Sequence, residues 1–305
     1  MLFGFLHYFL LWWGDILFAY AASGLVLLLV NRLPQSVLGL SATTIFSLHF
    51  ATGFLTALPN VQAEEWARLG QASAVQWRVV SDLHSHFATT TQQEMAQYTG
   101  GFWHILITKL TIHPYWLIYG AYDNFAEYFG LMTLGLILQR KGFFAQAWPR
   151  SHLLKMGIGL TAAGLILTLA ALTWLWQRDF PPIAMDTAIR FGLALPHLLI
   201  ALGYAALLVF CTHRILGTTL GQRIAAAGRM AFSNYIGTTL VMTAIFYGWG
   251  LGLFGTISPL QQWAFVALGW ALMLGISAPY LSKWQHGPLE WLWRRLTNMH
   301  FLSKK

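Results

Sequence analysis

The chain has 305 residues, of which 57% are hydrophobic and only 9% carry a charge. Soluble domains carry roughly 25% charged residues, so this composition argues against a water-soluble globular domain and favours a protein whose partner is the lipid bilayer. The net charge of +8 comes from basic residues that stand between long apolar stretches. That placement is typical of loops facing anionic lipid, and it argues against nucleic-acid binding.

Long apolar stretches predict an all-α fold, a polytopic transmembrane helix bundle. A spanning helix needs roughly 20 mostly apolar residues, and by that measure we expect about seven or eight membrane helices. In chain order the candidate spans are Ile16–Asn31, Val37–Leu58, Trp116–Leu138, Leu153–Trp176, Thr187–Cys211, Met230–Phe254 and Leu260–Leu281.

The basic residues predict the orientation of the bundle. They collect in alternate connections between spans, with 13 of the 18 Lys and Arg on one side, Lys304 and Lys305 among them. Because cytoplasmic loops are enriched in Lys and Arg, the C-terminus is predicted to be cytoplasmic. The five on the other side are Arg68, Arg78, Lys109, Arg178 and Arg190.

A polar stretch divides the N-terminal part of the chain. Residues 59–114 are predicted to be extracytoplasmic, either as short amphipathic helices on the membrane surface or as a mobile loop. We therefore expect an N-terminal group of membrane helices over residues 1–138, which includes this segment, and a C-terminal membrane domain over residues 139–305.

His7 and Asp15 are the first candidates for chemistry, since ionisable residues in membrane segments are costly. Eight residues apart, they share one face if the helix is continuous. Gly14 can instead break the helix, which makes Asp15 a cap of the following span. We treat both residues as candidate catalytic groups.

Asp123, Asn124 and Glu127 form the densest polar cluster in any span. Asp123 and Glu127 are four residues apart and are predicted to share a helix face, where two carboxylates suit proton relay or acid–base catalysis. The alternative is that they pair with a cation on a neighbouring helix. His84 and His86 lack a third ligand in the sequence, so no metal site is predicted.

Polar residues also open the span that follows Gly228. Arg229 can reach the inner surface, and Asn234 can hydrogen-bond between helices. Pro196 is predicted to kink its helix and free a carbonyl that His197 can bond. Asn124, Arg229, Asn234 and Glu290 are the candidate substrate-binding residues.

Several strings make the chain resemble the YeiB-like bacterial membrane proteins. They are Gly14-Asp15-Ile16-Leu17, Gly228-Arg229-Met230-Ala231 with Ser233-Asn234-Tyr235, Phe246-Tyr247-Gly248 with the glycines that follow, and Gly287-Pro288-Leu289-Glu290-Trp291-Leu292-Trp293-Arg294. The resemblance covers the whole chain, most securely from about Asp186 onward, and assigns residues 139–305 to the C-terminal domain of that family. It implies a multi-pass protein of the bacterial inner membrane.

The resemblance also carries expectations about activity. The family looks distantly similar to transmembrane acyltransferases, which implies an acyl-CoA donor and a small-molecule, lipid or glycan acceptor. Family members usually begin with an Asp-x-x-Arg-Gly type motif that this sequence lacks, so we expect the chain to be an N-terminally truncated member. A proton-coupled transporter and a non-catalytic membrane partner protein are the alternative functions.

Overall fold

The computed structural model describes the backbone of residues 1–302 and the side chains of residues 1–297. Lys304 and Lys305, counted above with the cytoplasmic charges, lie outside the described residues. Within that range the protein is all-helical and contains no strand. The helices are α1 (Leu2–Leu10), α2 (Leu17–Val30), α3 (Gln35–Arg68), α4 (Ala74–Tyr98), α5 (Phe102–Thr111), α6 (Trp116–Asp123), α7 (Phe125–Arg140), α8 (Arg150–Trp176), α9 (Pro182–Thr187), α10 (Ala194–Leu216), α11 (Thr219–Arg229), α12 (Ala231–Phe246), α13 (Pro259–Lys283) and α14 (Pro288–Leu302).

Four of the described helices are long and apolar enough to cross a membrane, namely α3, α8, α10 and α13. Two shorter apolar helices, α2 and α12, have 14 and 16 residues. These lengths confirm a helical protein suited to a bilayer. The count of seven or eight spans and the cytoplasmic C-terminus stay predictions.

Helix α3 continues for 34 residues, past the position where the sequence suggested an end. Pro59 lies inside it and removes one N–H, which would otherwise bond the carbonyl of Leu55. The candidate span Val37–Leu58 is therefore only part of a longer helix. The polar stretch that follows is also largely helical, as α4 and α5.

The prediction of one continuous helix over Trp116–Leu138 is wrong. α6 ends at Asp123 and α7 begins at Phe125. Between them, Asn124 adopts φ −89° and ψ 0°, and its side-chain amide donates to the carbonyl of Gly120 at 2.8 Å. The Gly120 carbonyl thus accepts both the backbone N–H and the side-chain amide of Asn124 at the break.

The kink predicted at Pro196 stays a prediction. A π-helical turn at Ala188–Gly192 interrupts the chain before α10, and Pro196 is the third residue of that helix. The first-turn N–H groups of a helix have no intrahelical partner, so a proline costs little there. His197 donates its backbone N–H to the Leu193 carbonyl at 2.9 Å, and the predicted role of its side chain stays a prediction.

The chain divides into two compact units. Unit 1 comprises Met1, Ile16–Glu94 and Trp116–Cys211, and in it α7 packs along α2 and α3. Unit 2 comprises Leu2–Asp15, Met95–Tyr115 and the described part of Thr212–Lys305. In unit 2, α13 packs on α11 and α12, α14 on α12, and α5 on α1. The predicted division after residue 138 stays a prediction.

Glycines bring α8 and α10 together in unit 1. A Cβ on Gly203 would stand 2.3 Å from the Thr161 hydroxyl oxygen and 3.0 Å from the Gly157 carbonyl oxygen. A Cβ on Gly164 would stand 2.7 Å from the carbonyl oxygen of Pro196. Because such distances exclude a real side chain, small residues set how closely the two helices approach.

We expect Gly203→Ala to lower the thermal unfolding midpoint of the detergent-purified protein. The new methyl group meets backbone atoms that cannot rotate away, and overpacking of this kind costs about 1–3 kcal/mol. Gly159→Ala is the matched control, since a Cβ on Gly159 of α8 meets nothing within 4 Å. A Gly203→Ala protein as stable as the control would contradict the close approach.

Candidate functional site

The first turns of the chain fold back on themselves in unit 2. α1 ends at Leu10, and an irregular connection follows until α2 begins at Leu17. The Trp12 indole lies against Gly14, where a Cβ would stand only 2.6 Å from the ring. A glycine is thus needed at the position that returns Asp15 towards α1.

This return brings His7 and Asp15 together. Nδ1 of His7 lies 2.9 Å from Oδ1 of Asp15, and both side chains have 0% exposure. The two residues therefore meet because the helix breaks between them and not because they share a continuous helix. A carboxylate bonded to one imidazole nitrogen fixes the ring orientation and favours a protonated nitrogen on that side.

The other imidazole nitrogen faces α12. Nε2 of His7 lies 3.2 Å from the Thr239 hydroxyl oxygen, and that hydroxyl lies 2.9 Å from the Tyr235 carbonyl oxygen. The hydroxyl has one proton, so it donates either to Tyr235 or to His7. In the second pattern His7 is neutral, protonated at Nδ1, and Nε2 accepts; this is the form of a general base.

Lys109 and Tyr8 fasten α1 to α5. The Nζ of Lys109 donates to the Tyr8 carbonyl at 2.6 Å, and the Tyr8 hydroxyl donates to the His113 carbonyl at 3.1 Å. Lys109 is only 1% exposed, and among the described residues no carboxylate pairs with it. Burial lowers the pKa of Lys109 from 10.5 to about 8, because desolvation disfavours the ammonium.

Two of the sequence strings that carry the family resemblance meet at the start of α12. Oε1 of Glu290 accepts the backbone N–H groups of Phe232 and Ser233 at 2.8 and 3.0 Å, and Oε2 accepts the Ser233 hydroxyl. The Ser233 oxygen in turn accepts the N–H of Leu289 at 3.0 Å. Each side chain thus caps the N-terminus of the other's helix, where a carboxylate is also favoured by the helix dipole.

Gly287 belongs to the same arrangement. A Cβ there would stand 2.1 Å from Oε2 of Glu290 and 2.8 Å from the Ser233 hydroxyl oxygen. The oxygens of Glu290 hold α12 and α14 together, and its role in substrate binding stays a prediction.

Asn234 and Arg229 also contact their own chain. The Asn234 amide donates to the Ala227 carbonyl at 2.9 Å and to the Ser277 hydroxyl at 3.0 Å. These bonds join α11, α12 and α13. Arg229 donates to the Gln285 carbonyl at 3.3 Å, and with respect to the described residues most of its N–H groups are available to a ligand.

The remaining candidates lie in unit 1. Asp123 ends α6 with an exposed side chain, and Glu127 lies in the first turn of α7, so they do not share one continuous helix. Asn124 bonds the Gly120 carbonyl. The roles of these three residues in catalysis and binding stay predictions.

Glu64 is a buried carboxylate in unit 1 that the sequence did not single out. It is 4% exposed, and it accepts bonds from His84 and from the backbone N–H groups of Ile183 and Ala184 at 2.8–3.0 Å. It thus caps α9 and gives His84 a partner that is not a metal.

Thr239 and Lys109 were also not predicted to belong to the candidate site. Thr239 stands in an apolar helix where a hydroxyl usually bonds its own backbone. Lys109 was assigned to the outer side because it falls in the polar stretch 59–114, although it stands among Ile107, Thr108 and Leu110. A lone lysine within an apolar helix was the available signal.

This geometry defines an all-helical membrane-type protein whose polar site is buried between helices. A family described as "protein of unknown function (DUF418)" matches residues 138–300. The chain belongs to this family, whose YeiB-like members the sequence strings resemble.

Two relatives that match almost the whole chain support the assignment. The chain is 30% identical to the uncharacterized protein YeiB of Escherichia coli K12 over 97% of its own length and 73% of the relative. It is 28% identical to the uncharacterized protein YxaH of Bacillus subtilis over 100% and 72% of the two lengths. No solved structure matches the chain.

We expect Glu290→Gln to destabilise the protein by roughly 1–3 kcal/mol, since an amide offers one acceptor where the carboxylate uses two. The measurement is the thermal unfolding midpoint in detergent. Glu94→Gln, a change at an exposed carboxylate of α4, is the control and should leave the midpoint unchanged. Equal midpoints for the two variants would argue against the reciprocal caps.

The lowered pKa of Lys109 predicts a dependence of stability on pH. The unfolded chain binds the proton up to about pH 10.4, whereas the folded chain releases it near pH 8. The cost of burying the ammonium is therefore complete below pH 8 and is relieved as the pH rises towards 10, by on the order of 3 kcal/mol.

Lys109→Met lacks this group, so the unfolding midpoint of the wild-type protein should rise relative to the variant between pH 8 and pH 10. Because both proteins share all other titrating groups, the difference isolates Lys109. A constant difference over this range would show that Lys109 is not buried as an ammonium.

Proposed function

We propose that the protein is a membrane-embedded acyltransferase whose general base is His7, held by Asp15. The observation that carries this proposal is the buried His7–Asp15 contact, with the second imidazole nitrogen 3.2 Å from a hydroxyl oxygen. An acceptor hydroxyl of a lipid, glycan or small molecule would displace the Thr239 hydroxyl from Nε2. A base must lie within hydrogen-bonding reach of the proton it removes.

In this reaction the acceptor oxygen attacks the carbonyl carbon of an acyl thioester. A C–O bond forms, the C–S bond breaks, and Nε2 of His7 takes the acceptor's proton and passes it to the departing thiolate. Asp15 keeps the proton on Nδ1 and stabilises the imidazolium that forms meanwhile. The proton thus moves from the acceptor to Nε2 of His7 and from there to the thiolate.

A basic surface supports an acyl-CoA donor. Glu290 is the only acidic residue after position 186, and its oxygens are used in the caps. Four basic side chains lie on the helices that meet around the start of α12: Arg229, Lys283, Arg294 and Arg295. Arginine and lysine are the usual ligands of phosphate groups.

The distance between this surface and the proposed base suits a long donor. Ser233 and Thr239 are six residues apart on α12, which at 1.5 Å per residue is about 9 Å. An extended thioester arm can cover that distance while the phosphates stay at the basic end. We place this end in the cytoplasm, where acyl-CoA is found, in agreement with the basic residues counted in the sequence.

The proposed topology has seven crossings of the inner membrane. The four long apolar helices cross it, as do α2 and α12, and α6 together with α7 makes the seventh crossing. The apolar lengths support these crossings, since each approaches the roughly 20 residues that a bilayer core requires.

The test uses purified protein in nanodiscs with radiolabelled acetyl-CoA. We expect donor binding, with slow hydrolysis or transfer, and a loss of roughly 10²–10⁴-fold in rate for His7→Ala. Asp15→Asn should lose rate as well, since it no longer fixes the imidazole. His86→Ala, at an exposed histidine of α4, is the matched control.

No binding of acetyl-CoA at high micromolar concentration would overturn the acyltransferase. Proton-coupled transport is then the better explanation, because a buried pair of titratable groups among apolar helices also suits proton movement. Proteoliposomes with an imposed pH gradient decide this: gradient loss that needs Asp15 supports transport.

A further inference from the structure

The last turn of α1 has an unusual hydrogen-bond pattern. The N–H groups of both Leu11 and Trp12 donate to the His7 carbonyl, at 3.0 and 2.9 Å. In a regular α-helix Trp12 would instead bond the carbonyl of Tyr8. The carbonyl of Tyr8 is thus left without its helical partner, in the residue next to His7.

Lys109 supplies the partner that this carbonyl lacks. Its ammonium nitrogen lies 2.6 Å from the Tyr8 oxygen and 5.4 Å from the centre of the Tyr8 ring. A cation is favoured at the C-terminal end of a helix, where carbonyl groups point outward. The interaction is buried, so solvent does not weaken it.

Tyr8 is held at its other end as well. Its hydroxyl donates to the carbonyl of His113, which follows α5. The backbone and the side chain of Tyr8 are therefore both bonded to the α5 segment, and Tyr8 is 1% exposed. His7 precedes Tyr8 directly, so any rotation of this turn moves the imidazole away from Asp15 and Thr239.

We propose that Lys109 is a positioning residue for His7. It fixes the last turn of α1 through the Tyr8 carbonyl, and so holds Nδ1 of His7 against Asp15 and Nε2 towards the acceptor position. The role of Lys109 in catalysis rests on the proposed acyltransferase function, whereas its effect on the geometry of His7 does not. Nothing about Lys109 requires contact with a substrate.

The experiment follows His7 directly by nuclear magnetic resonance of ¹⁵N-histidine-labelled protein in nanodiscs. Loss of a signal in His7→Gln identifies the His7 resonances. In Lys109→Met we expect changed Nδ1 and Nε2 shifts and at least tenfold faster solvent exchange of the Nδ1 proton. Lys109→Arg keeps a cation and N–H donors, and should restore the wild-type signals.

Lys155→Met, at an exposed lysine of α8, is the matched control and should leave the His7 signals unchanged. If Lys109→Met does not yield folded protein, Lys109→Gln takes its place, since it removes the charge and shortens the side chain. Wild-type His7 shifts and exchange in either folded variant overturn the proposal.

Turnover separates this inference from the function on which it builds. If acyl transfer is observed, Lys109→Met should lower kcat by roughly 10–100-fold with little change in KM, as expected when a catalytic group is displaced by about 1 Å. Changed His7 signals in a protein that does not bind acetyl-CoA would retain the positioning role and reject the acyltransferase. Loss of transfer in His7→Ala, with unchanged His7 signals in Lys109→Met, would support the acyltransferase and reject the positioning role of Lys109.

Discussion

The buried contact between His7 and Asp15 constrains everything else in unit 2. A carboxylate or an imidazole inside a helical protein has to be hydrogen-bonded, because an unpaired polar group loses several kcal/mol of hydration. Asp15 reaches His7 only because α1 stops at Leu10 and the chain folds back at Gly14. The broken helix is therefore required by the polar pair, and α12 then needs a hydroxyl at Thr239 to satisfy the second nitrogen.

Several residues in the strings that identify the family hold helices together. Ser233 and Glu290 are 57 residues apart, yet each caps the helix that carries the other, and Gly287 leaves room for both. Asn234 joins three helices through the Ala227 carbonyl and Ser277. Polar residues at helix starts look alike in a sequence whether they bind a ligand or another helix. Arg229 belongs to these strings and donates to the Gln285 carbonyl, and with respect to the described residues its other N–H groups can bind a ligand.

Apolar length predicted where helices form, because a spanning helix is decided by local composition. The interruptions were harder to predict, since each depends on how local groups compete. The regular helix is interrupted at Asn124, whereas Pro59 does not stop α3. The partner of Lys109 is 101 residues away, and its burial follows from a carbonyl that α1 leaves free. No periodicity in the sequence reports such a pairing, so the site was found only in part, as His7 and Asp15.

Charge balance links the pair to the lysine. Among the described residues of unit 2, the side chains of one carboxylate, Asp15, and two bases, His7 and Lys109, are buried. In a medium of low dielectric constant, a site with no net charge is favoured over one with an excess positive charge. With the pKa of Lys109 near 8, the lysine is charged at neutral pH. Asp15 faces Nδ1 of His7 and the Thr239 hydroxyl faces Nε2, an arrangement that suits the neutral tautomer with its proton on Nδ1. That is the form in which an imidazole accepts a proton from a hydroxyl, so a buried cation on α5 and a base on α1 belong to one electrostatic arrangement.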